Sequence, residues 1–212
     1  MTIDFDQVVH QGISSITPDD VAMAQQLGYV IKLVGSVEET PSGIFAEVSP
    51  TFLPKSHPLA SVNDVMNAVF VESIGIGESM YYGPGAGQKP TATSVVADVI
   101  RIARRIKDGN VGKCFNEFIR ETKIAHPDDV KSHYYFAINT ADEKGKMLRL
   151  AEIFNSEDIS FEQVLQQKAN GEQARVVIIT HSLSKSQLVN VTEKLQAVAD
   201  FKLLNTFKVL GE

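Results

Sequence analysis

The sequence predicts an α+β chain in two parts. Strands with one long covering helix come first, and a doubled strand–helix–strand unit follows. Three observations carry this. Apolar residues alternate in short runs between residues 29 and 82, the period of half-buried strands. The spacing then becomes helical from Val95 to Ile106. Beyond residue 131 the runs come in the order strand, helix, strand, strand, helix, strand.

Each element has a local reason. "TPDDVAMAQQLGY" predicts a helix with Thr17 as N-cap, Pro18 in the first position and acidic residues against the amino-terminal dipole. Val21, Ala24 and Leu27 keep helical spacing, and Gly28 stops it. "YVIKLVGSVEE" is a strand. "SGIFAEVSPTFLP" is a second, with Ile44, Ala46 and Val48 alternating before prolines end it. "MNAVFVESIGIGESMYYG" predicts two more, 67–73 and 78–82, with a tight turn at Gly75 and Gly77. Such a meander needs a helix across one face. "TATSVVADVIRIARRI" supplies one, with Val95, Val99, Ile102 and Ile106 in a stripe and Val96, Ile100 and Ala103 beside it. Arg101, Arg104 and Arg105 read as a solvated face near the helix carboxyl end, not as a phosphate clamp.

Residues 107–131 are more polar, with two glycines and a proline, and read as a linker between a first domain (1–106) and a second (132–212). In the second, "HYYFAINT" is a strand. "KGKMLRLAEIFNSE" is a helix with Met147, Leu150, Ala151 and Phe154 inward. "DISFEQVLQQK" is a strand whose alternation slips near Glu162-Gln163, which predicts a bulge. Asn170-Gly171 predicts a hairpin turn, and "ARVVIITH", apolar on both faces, a central strand. "SLSKSQLVNVTEKLQAVAD" is a helix capped by Ser182 or Ser184, with Leu188, Val191, Leu195 and Val198 buried. "FKLLNTFKVL" closes the sheet. Together these make a ferredoxin-like βαββαβ sandwich.

Bulk properties narrow the function. A chain of 212 residues with 43% hydrophobic content can bury a sizeable core. A net charge of -6 argues against nucleic acid or an anionic membrane as partner. No apolar run approaches a membrane span, and one cysteine, Cys114, fits a reducing cytoplasm and a half-buried helix position. The histidines show no metal-ligand spacing, so no transition-metal site is expected. His57, between Pro54 and Pro58, reads as fixing its loop in preference to a role in catalysis. Asp128-Asp129 and Glu38-Glu39 read as solvated loop charges, and no Ser–His–Asp arrangement emerges.

"GPGAGQKPT" precedes the long helix. It lacks the Gly-Lys-Ser/Thr of a P-loop and the glycine spacing of a dinucleotide fingerprint. It is a glycine-rich connection that lets the backbone approach something closely, or a tight turn needed for packing; both can hold at once.

Two resemblances rest on these segments. "NTADEKGKML", with Asp142 shortly before Gly145, resembles the first loop of an ACT domain, with Lys144 where many members have proline. "GISSITPDDVAMAQQLGYVIKLVG", "VSPTFLPKSHPLASVNDVMNAVFVES" and "YYGPGAGQKPTATSVVADVIRIARR", in that order, resemble the later part of homoserine dehydrogenase, in which an ACT domain often follows. The first part is then a partial homoserine dehydrogenase substrate-domain sheet with covering helices. The resemblance implies that Gly87, with Gly85 and Ala86, faces the nicotinamide end of NAD(P) in the complete enzyme. It implies a contact set of Asn139, Thr140, Ala141 and Asp142 for an effector, L-threonine by pathway logic, or alternatively a module that only forms a homodimer. The family's dinucleotide-binding domain and catalytic lysine find no counterpart in this sequence. The expectation is therefore a fragment, inactive alone, that binds no cofactor by itself.

Overall fold

The structure is a computed structural model, and it describes residues 6, 8–112, 123–168 and 173–211. Cys114, with the rest of residues 113–122 in segment 107–131, and the Asn170-Gly171 turn lie outside the described residues. The chain forms two compact units, one of residues 1–55 with 121–212 and the other of residues 56–120.

In the larger unit, α1 (Pro18–Gln26) starts on a capping box. Thr17 caps the Asp20 amide while the Asp20 carboxylate returns to the Thr17 amide. Gly28, at φ +87, releases the chain into β2 (Tyr29–Thr40), which pairs along its whole length with β3 (Gly43–Pro54). The two-residue β1 (Val9–His10) runs parallel to β3. Pro50 does not end β3. The carbonyls of Val48 and Phe52 accept from Gln11 and Leu210, so the backbone of Pro50 points to that same side. There it faces the seam between two parallel partners, β1 at Glu47–Val48 and the last strand, β10 (Lys202–Val209), at Thr51–Phe52, where a missing N–H is least costly. Burial likewise departs from the expected alternation: Ile44 and Ala46 are buried, yet so are Phe45 and Glu47, whereas Val48 is exposed.

The remainder of this unit is β6 (Lys131–Ala141), α3 (Lys146–Asn155), β7 (Phe161–Lys168), β8 (Gln173–Thr180), the short β9 (Leu183–Ser184), α4 (Lys185–Ala197) and β10 (Lys202–Val209). Its four long strands lie in the order β10-β6-β8-β7, fourth, first, third and second in the chain, as the split βαβ plan requires. The ladder slips between Phe161 and Gln163, where the bulge is expected. Ser184, rather than Ser182, caps α4.

One face of this sheet carries Phe136, Ile138, Val176 and Ile178 against Leu150 and Phe154 of α3 and Val191 and Leu195 of α4. The opposite face carries Tyr135, Ala137, Val177, Ile179 and Phe207 against Met23 and Ala24 of α1 and Phe52 of β3. Phe52 stacks on Tyr135 at 4.4 Å between centroids. Two expectations are corrected by this. The last strand does not close the sheet, because its free edge takes β3 as a parallel neighbour. Nor do the early strands form a unit with the long helix; they extend the sheet of the second half. Periodicity shows which face of a strand is buried but not which strand pairs with it.

The smaller unit holds a separate two-stranded ribbon, β4 (Met66–Ser73) and β5 (Gly77–Pro84), and the long helix α2 (Gln88–Lys107). Ser73 pairs with Gly77 around a three-residue loop, and Gly77 takes φ +76. The expected covering of the ribbon by the helix is not found, since no residue of α2 is buried. Val95, Val99, Ile102 and Ile106 are each at least 57% exposed, although they form the predicted stripe.

Candidate functional site

The glycine bend is built at the junction of β5 and α2. The Gly85 amide donates to the Val65 carbonyl at 2.9 Å, and the Thr91 amide donates to the Gly87 carbonyl at 3.1 Å. Gly87 is the N-cap of α2 at φ +125, and no side chain caps that first turn. A Cβ on Gly85 would run into the Asn67 side chain, and the φ of Gly87 disfavours any L side chain. Gly87 therefore has a backbone reason to be there, and Gly85 a steric one set by the Asn67 side chain. The bend, including Ala86, is exposed, and it presents the open amino-terminal end of a 20-residue helix. Such an end suits an anionic or carbonyl oxygen.

The second predicted group lies where β6 ends. Asn139, Thr140 and Ala141 are its last residues and Asp142 follows. The Asn139 Oδ1 and Thr140 Oγ1 atoms are buried with no hydrogen-bond partner. Asp142 is exposed and accepts from Gln166 Nε2 at 3.0 Å. Gly145, at φ +88, is the N-cap of α3, whose first turn also lacks a side-chain cap.

Other residues singled out in the sequence are structural. His57 Nδ1 accepts from the Leu59 amide at 3.2 Å, capping a short 3-10 turn, and its ring lies 4.9 Å from that of Phe70. Asp128 is more than a loop charge: it accepts from the Ser186 amide at 3.2 Å at the start of α4. Hydrogen bonding from Ser186 holds its carboxyl below the usual carboxylate range.

Sequence reasoning missed two buried carboxylates. Asp20 is fully buried and is held from three strands. Its Oδ1 accepts from Arg175 Nη2 at 2.8 Å and from the Tyr135 hydroxyl at 3.4 Å, and its Oδ2 accepts from Asn205 Nδ2 at 2.7 Å. Burial, then the charge of Asp20, pushes the Tyr135 phenol well above its ordinary range. Glu47, 4% exposed, pairs with Lys208 Nζ at 3.1 Å and Lys185 Nζ at 3.8 Å. Tyr134 is pushed up in the same way, by burial first and then by Glu47. One signal was legible: Arg175 is the only charge in the run "ARVVIIT", and a buried cation needs a partner.

Comparison with known proteins places these segments. A homoserine dehydrogenase of Lactococcus lactis is 61% identical over 212 residues, all of this chain and 50% of its own length. The chain belongs to the homoserine dehydrogenase family. The family model "Homoserine dehydrogenase" matches residues 1–100, which include the glycine bend. The Bacillus subtilis homoserine dehydrogenase is 36% identical, with all of this chain and 49% of that protein covered. Among solved structures, a homoserine dehydrogenase from Thiobacillus denitrificans superposes with a TM-score of 0.88 at 28% identity, over 99% of this chain and 49% of its own. The chain thus spans about half the length of the homoserine dehydrogenases it matches, and corresponds to a C-terminal portion. Among the described residues, no helix is long and apolar enough to cross a membrane.

Proposed function

We propose that this chain is the rear part of an NAD(P)-dependent homoserine dehydrogenase, which interconverts L-homoserine and L-aspartate 4-semialdehyde in threonine and methionine biosynthesis. The observation that carries the reading is the 61% identity to the Lactococcus lactis homoserine dehydrogenase, over an alignment that spans all 212 residues. The nicotinamide dinucleotide supplies the hydride when bound; the protein's part is to bind and orient it. Gly87, Gly85 and Ala86 give a side-chain-free approach, and the open end of α2 offers backbone amides to a carboxamide oxygen. The exposed apolar stripe of α2 is a surface that the rest of such an enzyme would cover. The chain alone is expected to be inactive and to bind no dinucleotide. The test is purified chain with NADPH and L-aspartate 4-semialdehyde: absence of NADPH oxidation supports the reading, and turnover at an ordinary enzymic rate overturns it.

A second reading concerns the second half, as an ACT domain over residues 132–212 that binds L-threonine. The buried Thr140 Oγ1, without a partner and on the same strand face as Phe136 and Ile138, which pack against α3, supports it, as does the uncapped first turn of α3. A carboxylate would sit at the α3 amides, and an ammonium would compete with Gln166 for Asp142, which joins Ala141 at the mouth of the loop. Calorimetry with L-threonine decides: heat and a raised melting temperature support it, and their absence leaves a module that serves only to form a homodimer. A cytoplasmic location accords with the lone cysteine.

A further inference from the structure

The loop proposed for the effector and the helix α1 are joined through two strands, once by backbone pairing and once by side-chain hydrogen bonds. The first passes through Arg175, which lies opposite Asn139 on β6 and opposite Gln167 on β7. Its guanidinium forks onto α1, with Nη1 2.9 Å from Asp19 Oδ2 and Nη2 2.8 Å from Asp20 Oδ1. The second passes through β7, where Gln166 donates to Asp142 at the loop while its neighbour Gln167 donates to Gln26 of α1 at 2.9 Å. Successive residues of a strand point to opposite faces, so β7 holds the loop with one face and the helix with the other.

Arg175 also has an unused bond. Its Nε and the Oδ1 of Asn139 are both buried and both without a partner. They are a donor and an acceptor on directly opposed residues, which share one face of the sheet. A buried donor and acceptor left unpaired are costly, so turning the guanidinium toward Asn139, at the expense of its hold on α1, would satisfy both. Two arrangements of one buried group are what a coupled pair of sites requires.

We propose that α1 senses the state of the 139–142 loop, with Arg175 as the positioning residue that transmits it. This rests on the effector reading for its ligand but not for its wiring. Hydrogen exchange of the α1 amides, measured on the chain as it stands, separates the two. With L-threonine present, exchange in α1 should change about tenfold in the unsubstituted chain, and that response should vanish in Arg175→Met while the heat of binding persists. Heat without any change in α1 overturns the inference and leaves the effector reading standing. If L-threonine gives no heat, Asp142→Ala becomes the perturbation: a tenfold change in α1 exchange upholds the wiring, and an unchanged α1 overturns it. Should Arg175→Met fail to fold, Gln167→Ala takes its place, with a weakened response expected and an unweakened one counting against the proposal.

Discussion

The two units of this chain use the same apolar vocabulary to different ends. In the larger, residues at strand and helix spacing disappear from solvent: Phe136, Ile138, Leu150, Phe154, Val191 and Leu195 are each 0% exposed. In the smaller, an equally regular stripe along α2 stays open to solvent, as do Val69 and Tyr81 of the ribbon. An amphipathic pattern states that a face is made for burial. Whether a cover is supplied is a separate matter, and among the described residues the apolar faces of the larger unit are buried while the stripe on α2 is exposed.

Substitution should expose that contrast most sharply. Phe136→Ala removes a ring packed edge-on against Phe154 at 5.1 Å and should cost about 3–5 kcal/mol in urea unfolding. Val99→Ala on α2 should stay within about 0.5 kcal/mol, because that side chain is 60% exposed. A similar cost at both positions would mean that α2 has a cover in solution, and the contrast between the units would fail.

The next effect separates neighbours on one helix. Asp20→Ala leaves Arg175, whose side chain is 12% exposed, without its buried partner, and should cost about 3–5 kcal/mol. Asp19→Ala removes a carboxylate that is 78% exposed from the same guanidinium and should cost less than about 1 kcal/mol. Chemical denaturation of both variants measures the ratio. Equal losses would show that Asp20 is not the anchor of α1.

These same residues mark how far the sequence could be read. Element types and most helix caps were legible, because Thr17, Ser184 and Gly28 act through their own backbone neighbours. So was the bulge, which a slip in alternation betrays within one strand. The join between β3 and β10 was not legible, since it brings residues about 160 positions apart into register through backbone groups that every residue carries. The burial of Asp20 was hidden for a related reason. At the start of a helix an aspartate is already accounted for by the dipole, so of its three strand partners only Arg175, a lone charge in an apolar strand, left a trace. The glycine bend was visible as a motif, but its glycines satisfy local geometry as well as any ligand.

The alkaline limb gives the third measure. Tyr134 and Tyr135 stay neutral in the folded chain above the pH at which an unfolded tyrosine, near 10, loses its proton. Their contribution is complete below pH 10, and it is lost as pH rises toward their raised folded values. Each should lower stability by about 1.4 kcal/mol per pH unit in that window. Tyr135→Phe should roughly halve the slope. An unchanged slope would place the alkaline sensitivity elsewhere.

The smallest effect lies at the acid end. Glu157 is held below its ordinary pKa by a hydrogen bond from Lys194, then by one from Asn190, with the Lys194 charge adding to them. A carboxylate lowered in this way stabilises the fold above pH 4.5, its unperturbed value, and loses that contribution as pH falls through the folded value. Lys194 is 46% exposed, so solvent screens the pair and Lys194→Met should cost less than about 1 kcal/mol at neutral pH. As pH falls through the lowered folded value of Glu157 the variant and the parent should converge, since the carboxylate that made the difference becomes protonated in both. Thermal melts at pH 7 and pH 3 test this directly. A deficit of equal size at both values would mean that Lys194 acts through its contact with the Ser156 hydroxyl, 2.7 Å away, and through packing, rather than through charge.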